Sequence, residues 1–227
     1  MDGWTELARA ITATGDVLVL REHAGHVEIR CNGWELMSNR AHHSETQMAV
    51  LTCSRLACAR PTGAAPRVLI GGLGMGYTLR AMLNELPAEA RIIVAELLPE
   101  VIDWNRGVLG RLAAHPLRDA RVSVTCADIA DLLSRAVEGG LDAIVLDVDN
   151  GPDAVMLRGN ASLYAAEGLR RMRRALTGSG VLAVWSADPS PRFEQALGDA
   201  GLQWQSIQVP ARGGPDDPMH TIYLAQG

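Results

Sequence analysis

The stretch VLIGGLGMGYTLR, residues 68 to 80, joins a continuous apolar run to a helical one through three alternating glycines, Gly72, Gly74 and Gly76. Glycine lets the backbone turn sharply and lets a ligand approach the peptide groups beside the positive end of a helix. A tight strand-to-helix turn is the plainer reading. The strand before the loop and the helix after it favour a ligand loop.

Outward from this loop, strand and helix patterns alternate. RVLIGG precedes the helix YTLRAMLNEL, RIIVAEL (91 to 97) precedes PEVIDWNRGVLGRL, and RVSVTCAD (121 to 128) precedes IADLLSRAVEGG. LDAIVLDVDN (141 to 150) leads through a loop into one long helix over 161 to 176, and GVLAVWSA (180 to 187) leads into PRFEQALGDAG. Strands of continuous Val, Ile and Leu separated by amphipathic helices require a parallel sheet covered on both faces. LQWQSIQVPAR and MHTIYLAQ, joined through GGPDDP without a helix, predict an antiparallel pair closing that sheet.

On the N-terminal side, residues 2 to 13 carry a short helical spacing. VLVL (17 to 20), HVEIRC (26 to 31) and WELM (34 to 37) read as strands broken at Gly25 and at Asn32-Gly33. Residues 43 to 59 read as a helix stopped by the Pro61 to Pro66 linker. The expected fold is α/β, with a Rossmann-like, mostly parallel seven-stranded sheet and an antiparallel C-terminal strand. Residues 61 to 227 form the expected catalytic domain, and residues 1 to 60 a small β appendage with its linking helix.

A chain of 227 residues suits one such core with an appendage, and 48% hydrophobic with 21% charged residues is ordinary for a folded chain. The net charge of −5 leaves no broad footprint for nucleic acid; Arg170, Arg171, Arg173 and Arg174 read as the solvated face of a helix. All 21 basic side chains are Arg, which excludes mechanisms built on a Schiff-base or phosphate-loop lysine. No run approaches the ~20 apolar residues of a membrane span, and no signal pattern opens the chain, so a cytoplasmic location with no membrane partner is expected. Cys31, Cys53, Cys58 and Cys126 lack zinc-type spacing and read as reduced, packed thiols with no metal.

Glu96 ends the second strand about twenty residues beyond the glycine loop, where a carboxylate can accept both ribose hydroxyls of an adenosine ligand, with Leu97 beside it. Asp128 closes the third strand next to Ile129, suiting an acceptor for the adenine amino group with an apolar wall; capping the next helix is as natural a role. The fourth strand ends in Asp147, Asp149 and Asn150. Because Asp147 and Asp149 point to opposite sides of a strand, one faces the crevice, and Asp147 is the better candidate to hold an amine and take its proton.

The order NGWELMSNRAHHSE, VLIGGLGMG, VAEL, CADI and LDVDNGP resembles the spermidine synthase family over nearly the whole chain. The resemblance implies a class I methyltransferase-like core and a homodimer joined through the β appendage. It also implies S-adenosylmethionine or its decarboxylated form as alkyl donor to a small-molecule substrate. Asp147 falls at the catalytic acid-base position, His43 and Glu45 line its pocket, and Asp149, Asn150 and Tyr164 lie on the substrate side, although a Tyr on a helix more often packs in the core.

Three departures stand out. The family loop reads GGGDGG, with an Asp that binds the aminopropyl ammonium, where this chain has Gly74. Asn150 replaces the second Asp of DxxDP, and His43 replaces the Tyr of YxE while Glu45 is retained. Burying an ammonium group without a partner is costly. The expectation is therefore methyl transfer from S-adenosylmethionine itself, its carboxylate received by Arg40 or by backbone amides. Aminopropyl transfer to an altered amine, intramolecular cyclisation or elimination releasing methylthioadenosine, and a silent adenosyl-ligand sensor are the alternatives.

Overall fold

A computed structural model of the protein describes residues 3–12, 15–59, 65–148, 150–153 and 160–227. Four strands, β1 (Thr5–Ile11), β2 (Val17–His23), β3 (His26–Cys31) and β4 (Trp34–Ser38), form an antiparallel sheet in chain order. The β3–β4 turn is Asn32-Gly33, with φ of 51° and 85°. Two positive angles make the tight hairpin that Asn-Gly favours.

The helical spacing over residues 2 to 13 is not realised. Thr5–Ile11 is a strand paired with β2, from Thr5 opposite Glu22 to Ile11 opposite Val17. Leu7, Ala8 and Ala10 pack against Leu18, Leu20, Val27 and Ile29. Edge pairing onto a hairpin supplies the backbone partners that a short isolated helix could not hold in water.

A helix, α1 (His43–Ala59), crosses from this sheet to the larger one. There follow β5 (Arg67–Gly71), α2 (Tyr77–Glu85), β6 (Arg91–Glu96), α3 (Pro99–Arg106), β7 (Val122–Cys126), α4 (Ile129–Ser134) and β8 (Leu141–Leu146). Then come α5 (Ala161–Tyr164), α6 (Ala166–Ala175), β9 (Leu176–Ser186), α7 (Pro191–Asp199), β10 (Gln203–Pro210) and β11 (Met219–Gln226). The seven strands lie in the order β10-β11-β9-β8-β5-β6-β7. β5 to β9 are parallel, and β11 runs antiparallel between β9 and β10.

One face of the sheet buries Met48, Leu79, Met82, Val101 and Ile102 under α1, α2 and α3. The other buries Leu133, Leu169, Met172, Phe193 and Leu197 under α4, α6 and α7. The single helix read over 161 to 176 is two helices, separated at Ala165, whose ψ of 156° is extended. β9 starts at Leu176 because that residue pairs with Leu141 before a shift in register.

Gly72 is the tightest point of the fold. Its φ is 87°, and a Cβ there would overlap the main-chain carbonyl of Asp147. Gly72→Ala should lower unfolding free energy by about 3 kcal/mol in urea titration. Gly178→Ala, where a Cβ would meet nothing within 4 Å, should stay within about 0.5 kcal/mol of the parent.

Candidate functional site

The carboxyl ends of β5, β6 and β8 open into a cleft of about 780 Å³. It lies where β5 is flanked by β6 on one side and β8 on the other, the point at which open α/β sheets place ligands. The antiparallel sheet roofs it through residues such as Asp16, Leu18, Glu35 and Met37.

The glycine loop is braced from below. Gly72 N–H donates to Ala95 O at 2.9 Å, and Gly76 N–H to Leu73 O at 2.8 Å. Gly74 and Gly76 both have positive φ, 52° and 85°. Buried Asn105 of α3 donates from Nδ2 to Gly74 O at 2.8 Å and to Val101 O at 2.9 Å, which fixes the loop carbonyl.

Glu96 is buried at the end of β6 and accepts from Leu73 N–H and Leu98 N–H, both at 2.9 Å. Burial raises its pKa, opposed by the N–H groups of Leu98, Leu73, Leu97 and Gly74. Glu96 also lines the cleft, where its oxygens can face a ligand. Asp128 caps α4, accepting from Ala130 N–H at 2.8 Å, and also lines the cleft, so both roles read from the sequence are open to it. Ile129 packs under Gly71. Leu97 is 43% exposed although apolar, and it shares the cleft wall with Ile129, as a flat aromatic ligand would require.

Opposite these residues lies an acidic centre. Thr78 Oγ1 donates to Asp147 Oδ2 at 2.7 Å. Burial pushes the Asp147 carboxyl up to about 6, with the Thr78 hydrogen bond opposing and the Glu96 charge reinforcing the shift. Glu45 is raised well above the usual carboxylate range by burial and by the charge of Asp147. Burial and Glu45 push the Tyr77 phenol up to about 12. Each of these carboxyls is thus raised by burial first and by a neighbouring carboxylate second, Glu45 by Asp147 and Asp147 by Glu96.

His43 lies outside this centre. Its N–H donates to Ala211 O at 3.1 Å, and its ring packs against Gly213 in the β10–β11 connection. Residues two apart on a helix point about 200° from each other, so a helix that turns Glu45 into the cleft turns His43 away. His42 stacks on Tyr77 with ring centroids 4.0 Å apart. Tyr164 is 6% exposed and packs edge to face on Phe193 in the core, away from the cleft. Arg40 is exposed and does not line the cleft, and Trp34 is 81% exposed on the antiparallel sheet. Asn150 lines the cleft, while Asp149 lies outside the described residues.

Tyr77, Thr78, Asp188 and His220 are cleft or centre residues that no sequence motif marks. Tyr77 and Thr78 follow Gly76 directly and could have been found from that position alone. His220 comes from β11, and no spacing connects it to the loop.

Seven carboxyl side chains line the cleft among the described residues: Asp16, Glu35, Glu45, Glu96, Asp128, Asp147 and Asp188. No Arg does; His220 is the one basic side chain there among the described residues. No group of three or more His, Cys, Asp or Glu among the described residues could hold a metal ion. No described helix is long and apolar enough to cross a membrane.

Solved structures with the same arrangement include the spermidine synthase from Thermotoga maritima, matched over 97% of this chain and 72% of that one, with a TM-score of 0.76 at 18% identity. The fold is that of solved spermidine synthases, and it is shared with an O-methyltransferase-type chain. A spermidine synthase in complex with the transition state analogue AdoDATO matches with a TM-score of 0.75 at 18% identity, over 97% of this chain and 72% of that one. A Klebsiella pneumoniae chain assigned as an O-methyltransferase matches over 82% of this chain and 80% of its own, with a TM-score of 0.54 at 19% identity. No protein-family model and no curated protein sequence matches the chain.

The raised pKa of Asp147 has a consequence for stability. The folded form holds this proton more tightly than the unfolded form, so its contribution is present below about pH 4 and is lost as pH rises through about 6. Asp147→Asn should therefore stabilise the ligand-free protein by about 2 kcal/mol at pH 8, with the gain vanishing near pH 4 in paired urea titrations.

Proposed function

We propose that this protein transfers an aminopropyl group from decarboxylated S-adenosylmethionine to an amine, with Asp147 as the acid-base residue. The observation that carries this reading is the charge of the cleft: seven carboxyls and no Arg among the described lining residues. A cleft lined with one sign concentrates ligands of the other sign. The decarboxylated donor is more cationic than S-adenosylmethionine, and an amine acceptor is cationic too. Arg40, expected to receive the carboxylate of the ordinary donor, is exposed and is not among the residues lining the cleft.

In this reading Glu96 holds the ribose hydroxyls, and Asp128, Ile129 and Leu97 surround the base. Glu45 and Asp147 draw in the ammonium of the acceptor, and Asp147 takes its proton. The neutral nitrogen then attacks the methylene carbon bonded to sulfur, the carbon–sulfur bond breaks with its electron pair staying on sulfur, and methylthioadenosine leaves. The sulfonium supplies the leaving group, so the side chains contribute position, desolvation and one proton acceptor.

A second reading, methyl transfer from S-adenosylmethionine, is favoured by Gly74. It leaves the donor tail without the carboxylate that the resemblance places in the loop.

Mass spectrometry of the purified protein with each donor, with and without a diamine, separates the two. Methylthioadenosine formed only from the decarboxylated donor plus amine is the expected outcome. S-adenosylhomocysteine formed with an acceptor would replace it with methyl transfer. Methylthioadenosine from S-adenosylmethionine alone would mark the intramolecular reaction, and binding without turnover a sensor. Asp147→Asn should lower kcat by about 10²- to 10⁴-fold. For the parent, kcat/KM should rise with pH through about 6, as Asp147 loses its proton.

A further inference from the structure

Ser44 of α1, Trp185 of β9 and His220 of β11 are distant in sequence and meet at the cleft wall. Trp185 Nε1–H donates to Ser44 Oγ at 3.0 Å, and Ser44 Oγ stands 2.8 Å from His220 Nδ1. An indole N–H can only donate, so Ser44 Oγ accepts there; with no other partner for Ser44 Oγ among the described residues, its one proton goes to His220 Nδ1. That nitrogen is then the unprotonated one. Ser44 is fully buried, so water does not compete for the bond.

The ring plane is fixed as well, since the imidazole sits edge to face on Trp185 with centroids 4.7 Å apart. Burial holds His220 below its ordinary pKa, opposed by Asp188, which keeps the ring neutral near pH 7. The proton of a neutral ring with Nδ1 as acceptor is on Nε2. Nε2 has no protein partner among the described residues, and His220 lines the cleft.

We infer that His220 presents a fixed Nε2–H donor to the acceptor pocket and so selects an amino alcohol, an amine with a hydroxyl on its carbon chain, over an unsubstituted diamine. The inference rests on the amine-acceptor reading above. Glu45, Asp147 and Asp188 are acceptors for ammonium N–H groups. A protonated diamine offers only donors and leaves the imidazole N–H unpaired, which costs binding. A carboxylate on the substrate could pair with it but would face the cleft's seven carboxyls, whereas a hydroxyl oxygen brings no charge. Sites built around one hydrogen bond discriminate well against analogues that lack the partner.

The test is calorimetric titration of the whole protein, saturated with methylthioadenosine, with 1,3-diaminopropane and with 1,3-diamino-2-propanol. The hydroxylated amine should bind about fivefold tighter. His220→Phe should erase that preference, and His220→Gln, which keeps an N–H, should retain part of it. Nitrogen-15 spectra of labelled histidine should show Nε2 protonated and Nδ1 bare near neutral pH. Equal affinities in the parent, a preference that survives in His220→Phe, or a protonated Nδ1 would each overturn the inference while leaving the amine-acceptor reading standing. Failure of both amines to bind would remove that reading and the inference with it.

Discussion

Gly72 passes so close to the carbonyl of Asp147 that no side chain fits between the β5–α2 turn and the end of β8. Asp147 N–H donates to Gly71 O and Gly72 N–H to Ala95 O, so the ends of β8, β5 and β6 are tied together by two bonds of 2.9 Å. From that junction the loop carries Gly74 and Gly76 over the cleft, β6 delivers Glu96, and β8 delivers Asp147. A larger residue at Gly72 would separate these strand ends and the groups they carry. The convergence of glycine loop and acidic centre thus rests on one missing Cβ.

The acidic centre is held against an electrostatic cost. Burial and a neighbouring carboxylate, Asp147 beside Glu45 and Glu96 beside Asp147, make both residues harder to ionise than in water. Nearby arginines do not relieve it. Arg21 and Arg30 are bound to buried Glu28 in the roof sheet, and Arg121 to Asp119 beyond β7.

The antiparallel sheet takes part in the same arrangement. Leu18, Leu20, Val27 and Ile29 bury against Met75 of the glycine loop and against Trp104 and Leu109 beyond it. Burying one such side chain contributes roughly 1.5–3 kcal/mol, so loop and roof stabilise each other. Roof residues line the same cleft as the acidic centre, where burial raises the carboxyls.

The sequence by itself determined the alternation of β5 to β9 with their helices, because strands buried on both faces must be continuously apolar. It also determined the glycine loop, Glu96 and Asp147, because these sit at strand ends where local spacing sets their position. The N-terminal strand Thr5–Ile11 was not legible: its spacing also fits a helix, and pairing with β2 decided between them. Which residues face the cleft was likewise a tertiary matter. Glu45 and His43 share a helix start, and only the docking of α1 decided that Glu45 turns inward. Tyr164 is open in the sequence to a substrate-side role or to core packing, and the packing of α5 on α7 decides for the core. His220 reaches the cleft through the antiparallel pairing of β11 with β9, and its tautomer is set by a serine 176 positions away. Local periodicity fixes which elements form, whereas side-chain facing and proton placement depend on contacts between distant elements.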